Sequence, residues 1–157
     1  MKAKSTLKST ILWVIITLAV GSASSLFIKD AGEIYSSMQR PAFAPPYYVF
    51  PIVWSAIYII IGIAAGLIRS SGSPYRTPAI VLYCLQLIVN FFWPIIFFRL
   101  RNCEFALVWL ILLWIMVFSM LFDFKKINKL AGYLIIPYLL WLTFASYLNY
   151  FACALNK

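Results

Sequence analysis

Residues 47–68 read YYVFPIVWSAIYIIIGIAAGLI, 22 positions without a charged side chain. A helix needs about 20 mostly apolar residues to cross the ~30 Å hydrocarbon core of a bilayer, so this stretch reads as a transmembrane helix. Four further apolar runs, at 11–28, 78–98, 105–122 and 130–155, have comparable length, and the connections between them leave no room for a soluble domain. The 157-residue chain is 64% hydrophobic and 11% charged, with a mean hydropathy of +0.93, far from the composition of a soluble domain. The expected fold is all-α: an integral membrane protein built as a five-transmembrane-helix bundle, one membrane domain over residues 1–157.

Directly upstream, residues 39–54 read QRPAFAPPYYVFPIVW, with Pro41, Pro45, Pro46 and Pro51 between an arginine and a tryptophan. Proline fixes φ and donates no backbone hydrogen bond, so the cluster breaks whatever element precedes the helix and leaves 29–46 as a loop at its mouth. Downstream, Gly62 and Gly66 form a GxxxG, and Gly21 with Ser25 a small-xxx-small pair in the first span. Such pairs let helices approach closely, either within one bundle or between two copies.

The net charge of +9 comes from 13 basic residues against four acids. In a soluble protein this balance would suggest nucleic acid; here the cations sit at helix ends. Lys2, Lys4, Lys8, Arg69, Arg76, Lys125, Lys126 and Lys129 fall on one side of a five-helix path, and Lys29, Arg40, Arg99, Arg101 and Lys157 on the other. Eight against five puts the N-terminus in the cytoplasm and the C-terminus outside. The opening MKAKSTLKST, followed by ILWVIITLAV and GSASS, also has the layout of a secretory signal. Its apolar run continues through Leu26, Phe27 and Ile28 to spanning length, so the first helix is expected to be retained. Cys84, Cys103 and Cys153 show no CxxC spacing and read as packing residues.

Histidine is absent, which removes the commonest general base and the usual zinc and haem ligand. Asp30, Glu33, Glu104 and Asp123 all lie in connections or at helix ends, so no carboxylate is available at membrane depth to relay protons or bind cations. Ion-coupled transport and hydrolysis are both poorly supplied, and neither a metal nor a cofactor is expected. Aromatic, amide and hydroxyl groups remain. Trp13 fits an interfacial belt, whereas Trp54, Trp93, Trp109 and Trp141 lie several residues in from the ends of their runs.

Three spans carry an aromatic face with a sparse polar group. Gln86, Asn90, Trp93 and Phe97 follow a helical spacing in the third, and two amides within a span must face partners in the bundle. The alternative for Gln86 and Asn90 is a clamp between helices. Trp141, Ala145 and Leu148 or Asn149 share a face of the fifth span, downstream of Pro137, and Phe50, Trp54 and Tyr58 form a stripe in the second. Together they describe a pocket for a flat, largely apolar ligand. The fourth span, with Trp109 and Trp114, has no matching polar stripe.

The segments RPAFAPPYYVFPIVWSAIY, QLIVNFFWPIIFF and PYLLWLTFASYLNY, in this order and spacing, resemble the tryptophan-rich sensory protein or translocator protein family (TspO/MBR, once termed the peripheral-type benzodiazepine receptor). The resemblance implies a five-helix bundle, often a homodimer, with a pocket closed by the loop between the first two helices. It implies ligands of the porphyrin or related tetrapyrrole class, sterols, and aromatic compounds of the isoquinoline carboxamide type. By matching position, Trp54, Asn90, Trp141 and Ala145 would line the pocket and Arg40 and Pro41 would lie in its lid, which the prolines would hold in an extended, polyproline-like form. Ile34 and Phe43 stand where many relatives carry tryptophan, and the sterol consensus after Leu148 and Tyr150 is incomplete, since the next basic residue is Lys157. Three functions follow. A receptor or sensor that binds tetrapyrroles leads. A light- and oxygen-dependent porphyrin-degrading enzyme, with Trp54 and Trp141 as its catalytic indoles, is the alternative, and a tetrapyrrole or sterol transporter is third. A bacterial cell membrane is favoured over a mitochondrial outer membrane.

Overall fold

The computed structural model describes residues 2–156. Its elements in chain order are α1 (Lys2–Ser25), the short α2 (Ala31–Ser37), α3 (Val49–Arg69), α4 (Arg76–Pro94) running into a π-helical turn (Ile95–Arg99), α5 (Cys103–Ile127) and α6 (Lys129–Leu155). Five of these are long and apolar enough to span a bilayer: α1, α3, α4 with its π turn, α5 and α6. The chain is an all-α membrane protein.

The helices outrun the apolar stretches that announce them. Helix α1 starts at Lys2 rather than residue 11, and α5 continues past Asp123, Lys125 and Lys126 to Ile127. Lysine is a good helix former, so a charge marks where a helix leaves the hydrocarbon without ending it. Capping ends it. The Asn128 backbone is extended, closing α5, and its side-chain oxygen accepts from the Ala131 N–H at 3.1 Å, opening α6 one residue later. Trp13, five residues beyond Lys8, packs edge-on to Tyr83 at 5.6 Å.

The spans close into a ring in the order α1, α3, α6, α5, α4 and back to α1. Glycine sets the α1–α3 seam. A Cβ at Gly62 would lie 2.7 Å from the Val14 Cα, and one at Gly66 only 2.4 Å from the Thr10 Cα. The GxxxG therefore works inside the bundle, seating α1 against α3. At the turn between α5 and α6, a Cβ at Gly132 would meet the Lys125 Cα at 2.6 Å.

The connection between α1 and α3 is not one extended strap. It holds α2, whose first turn carries Glu33, a favourable charge at a helix N-terminus. The chain turns extended at Met38, just before the Gln39-Arg40-Pro41 step, and then makes turns closed by the Ala44 N–H on the Pro41 carbonyl and the Val49 N–H on the Pro46 carbonyl. The prolines punctuate turns here.

Candidate ligand pocket beneath the lid

At the end of the bundle where α3 begins and α4 ends lies a cavity of about 240 Å³. Its roof is the lid segment: Tyr35, Met38, Arg40, Pro41 and Tyr47 all face it. Its walls come from α1, α3, the α4 end with its π turn, and α6. Ten of the twelve residues singled out from the sequence line it: Arg40, Pro41, Phe50, Trp54, Tyr58, Asn90, Trp93, Phe97, Ala145 and Leu148.

Gln86 and Trp141 do not. The Trp141 indole packs against Phe144 of its own helix, ring centres 5.7 Å apart, outside the gap that Ala145 leaves open. It stands behind Trp54, perpendicular to it at 6.4 Å, and edge-on to Phe50 at 5.9 Å, with its N–H buried and unpartnered. Gln86 lies one turn deeper than Asn90 and is fully buried.

The floor is a buried polar chain joining three helices. The Tyr58 hydroxyl donates to Asn90 Oδ1 at 2.7 Å, Asn90 Nδ2 donates to the Tyr138 hydroxyl at 2.9 Å, and that hydroxyl donates to Gln86 Oε1 at 2.9 Å. An amide left unpaired in hydrocarbon would cost roughly 2–7 kcal/mol, which is why these groups find one another. Asn90 borders the cavity, and beyond these two bonds its amide keeps one hydrogen and one lone pair. The clamp and the ligand-facing readings of Asn90 are thus compatible. Nearby, Trp93 Nε1 donates to Asn149 Oδ1 at 3.2 Å, and Asn149 Nδ2 donates to the Cys103 carbonyl at 2.9 Å.

The π turn follows from Pro94. With no N–H, it cannot bond the Asn90 carbonyl, and the Ile95 N–H goes instead to Phe92. The widened turn presents Phe97 and Phe98 to the cavity.

Two contacts hold the lid down. The Tyr35 hydroxyl donates to the Pro45 carbonyl at 2.7 Å while its ring packs edge-on to Phe50 at 5.0 Å. Asn156, just past α6, takes the Gln39 N–H on its side-chain oxygen at 2.9 Å and returns its amide to the Gln39 carbonyl at 3.0 Å. Arg40 lies over the Tyr35 ring, 5.0 Å from its centre, and is the only charged side chain among the described lining residues. Burial pushes the Tyr35 hydroxyl above its ordinary pKa, with Arg40 pulling the other way. Of the two positions where relatives carry tryptophan, Phe43 is 80% exposed, and Ile34 lines a different cleft.

The remaining cysteine expectation is corrected: Cys103 and Cys153 form a disulfide between the start of α5 and the end of α6, and Cys84 is free. Each packs as an isolated apolar residue in the sequence, 50 positions apart, and only the ring closure brings them together. Tyr138, Tyr35 and Asn156 were likewise not singled out. Tyr138 shares the spacing of Trp141 and Ala145, a signal that was present; the Gln39–Asn156 pair spans 117 residues and left none.

Chemically, the cavity offers flat aromatic walls, a polar floor that can accept or donate one further hydrogen bond, and one cation at the lip. Comparison with known proteins agrees in outline. Residues 13–155 match the sequence pattern of the TspO/MBR family. The chain is 35% identical over 144 residues to the tryptophan-rich protein TspO of Chlorobaculum tepidum, covering 90% of this chain and 91% of that one. It is 32% identical over 149 residues to the protein CrtK of Rhodobacter capsulatus, covering 92% and 91%, and 34% identical over 130 residues to the translocator protein of Homo sapiens, covering 80% and 77%.

Proposed function

The chain belongs to the TspO/MBR family, and on that premise we propose that it is a bacterial membrane receptor that binds a tetrapyrrole, or an aromatic carboxamide, beneath its lid. The observation that carries this reading is an indole- and phenol-walled cavity with a single cation at its lip. Flat π surfaces gain from stacking and edge contacts with Trp54, Trp93 and Phe97, and a propionate gains a charge-assisted bond from Arg40. Drug-sized ligands occupy about 300–1,000 Å³, so a cavity of about 240 Å³ admits a tetrapyrrole only when the lid rises. A tetrapyrrole therefore seats with its propionate edge toward the lid. Titration with protoporphyrin IX, followed by fluorescence quenching, tests this. Arg40→Ala should weaken protoporphyrin roughly tenfold and a neutral carboxamide about twofold or less, the difference being one charge-assisted bond. Equal losses for both would reduce Arg40 to shaping the lid. A homodimer fits the family; its seam would be built on lipid-facing surfaces, because α1 already covers Gly62 and Gly66.

A second reading, light- and oxygen-dependent degradation of the bound porphyrin, is favoured by one observation. Trp54 on the cavity wall touches Trp93 at 6.5 Å and Trp141 at 6.4 Å, a chain of oxidisable rings beside the ligand. Trp54→Phe should then slow porphyrin loss under illumination more than Trp141→Phe, since only Trp54 faces the ligand. Wild-type rates in both variants would leave the tryptophans as walls.

A further inference from the structure

Outside the lidded cavity is a second cleft of about 390 Å³, lined by Lys29, Arg99 and Arg101. Asp30 is the one acid among the described residues of its wall, so three positive charges face one negative. All three cations are exposed, and none forms an ion pair among the described residues. Lys29 follows the end of α1, and the two arginines follow the end of α4, so the cleft sits where these spans leave the hydrocarbon. Its lip is apolar: Leu26 and Phe27 are 67% and 50% exposed.

Cations near helix C-termini have an ordinary explanation, since they complement the macrodipole and anchor the helix at the interface. That explanation does not require three of them to converge on one concavity. Nor does it account for Arg101, which lies beyond the π turn in the left-handed region at φ 51°, the sole non-glycine with positive φ among the described residues. Glycine or asparagine would occupy that conformation at lower cost.

We propose that this cleft binds an anionic phospholipid, its phosphate held by Arg99, Arg101 and Lys29 and its acyl chains lying along Leu26 and Phe27. Guanidinium forks match phosphate oxygens two at a time, and an ammonium adds a third point of charge. The apolar lip selects a lipid over a free anion, which would gain nothing from Leu26 and Phe27. Ile28 and Phe98 line both this cleft and the ligand cavity, so a bound lipid would press on the cavity's rear wall. The site is separate from the tetrapyrrole reading and does not depend on it.

The test is native mass spectrometry of the full chain released from mixed micelles holding equal amounts of phosphatidylglycerol and phosphatidylcholine. Each cation facing an anionic headgroup contributes roughly fivefold in affinity. Wild type should retain phosphatidylglycerol over phosphatidylcholine by about a hundredfold, and the double variant Arg99→Gln/Arg101→Gln should fall to about fivefold, the share left to Lys29. Arg101→Gly separates binding from folding. It relieves the left-handed backbone and should raise the melting temperature while lowering the lipid preference roughly fivefold. No preference in wild type, or an unchanged preference in the double variant, overturns the proposal. So does displacement of the lipid by millimolar inorganic phosphate, which would mark a site for soluble anions. Protoporphyrin titration of the same variants reads the lidded cavity independently.

Discussion

Asn156→Ala should make the lid open more often without abolishing ligand binding. The side chain exchanges two hydrogen bonds with the Gln39 backbone, at 2.9 and 3.0 Å, and both are exposed. A neutral hydrogen bond contributes about 0.5–1.5 kcal/mol net, and exposed ones fall in the lower part of that range, so the pair is worth about 1–2 kcal/mol. That corresponds to a 5–30-fold change in the open-to-closed ratio. The latch joins protein to protein and touches no ligand, so ligand entry and exit should accelerate together and Kd should move little. Stopped-flow displacement of a bound aromatic carboxamide, small enough to lie beneath the lowered lid, reads the exit rate directly. Asn156→Asp, which keeps the acceptor for the Gln39 N–H but loses the donor, should fall between wild type and alanine. An exit rate within twofold of wild type in Asn156→Ala would show that the latch does not govern opening, and that Tyr35 and its bond to the Pro45 carbonyl hold the lid alone.

Gly66→Ala forces a Cβ to within 2.4 Å of the Thr10 Cα, so α1 and α3 must part by more than ~1 Å to reach ordinary contact; it should cost about 1–3 kcal/mol in denaturant titration, whereas Gly72→Ala, in open space, should cost less than about 0.5. Asn90→Ala breaks the bonds to Tyr58 and Tyr138 and should lower stability by about 2–4 kcal/mol and also weaken an aromatic carboxamide; a folded variant with unchanged affinity would leave Asn90 as a clamp only. Tyr35 is held above its ordinary pKa, so its contribution to lid closure is complete below about pH 10, where open and closed forms both keep the proton, and is lost as pH rises through the elevated value. Exit rates flat from pH 6 to 9 and rising above about pH 10 are expected, and a rise near pH 7 would contradict it.

Much of this was legible in the sequence because the bilayer imposes one dominant rule. Five uncharged runs gave the spans, and the stripes Phe50–Trp54–Tyr58 and Asn90–Trp93–Phe97 face the cavity as their spacing required. Two kinds of information were not local. Charge located the membrane boundary but not the helix ends, which is why α1 begins at Lys2. Depth within a face was also hidden. Spacing puts Trp141 with Ala145, yet only Ala145 reaches the cavity, because the Trp141 ring is taken up by Phe50, Trp54 and Phe144. The polar floor was half visible: Gln86 and Asn90 announced a need for partners, but Tyr58 and Tyr138 became those partners only through the ring order of the helices.

The bond between Cys103 and Cys153 carries a geographical consequence. Disulfides endure in oxidising compartments and are kept reduced in most cytosols. Both sulfurs lie at the end of the bundle that also holds the lid, the cavity mouth and the end of α6. A bond kept oxidised would put that end outside the cytoplasm, the side on which the positive-inside expectation, eight basic residues against five, also sets it. The lid would then open on the far side of the membrane from the place where cytoplasmic enzymes release their products. In that orientation a ligand would reach it from the exterior, or sideways out of the bilayer, and the protein would be taking stock of the cell's surroundings rather than of its interior.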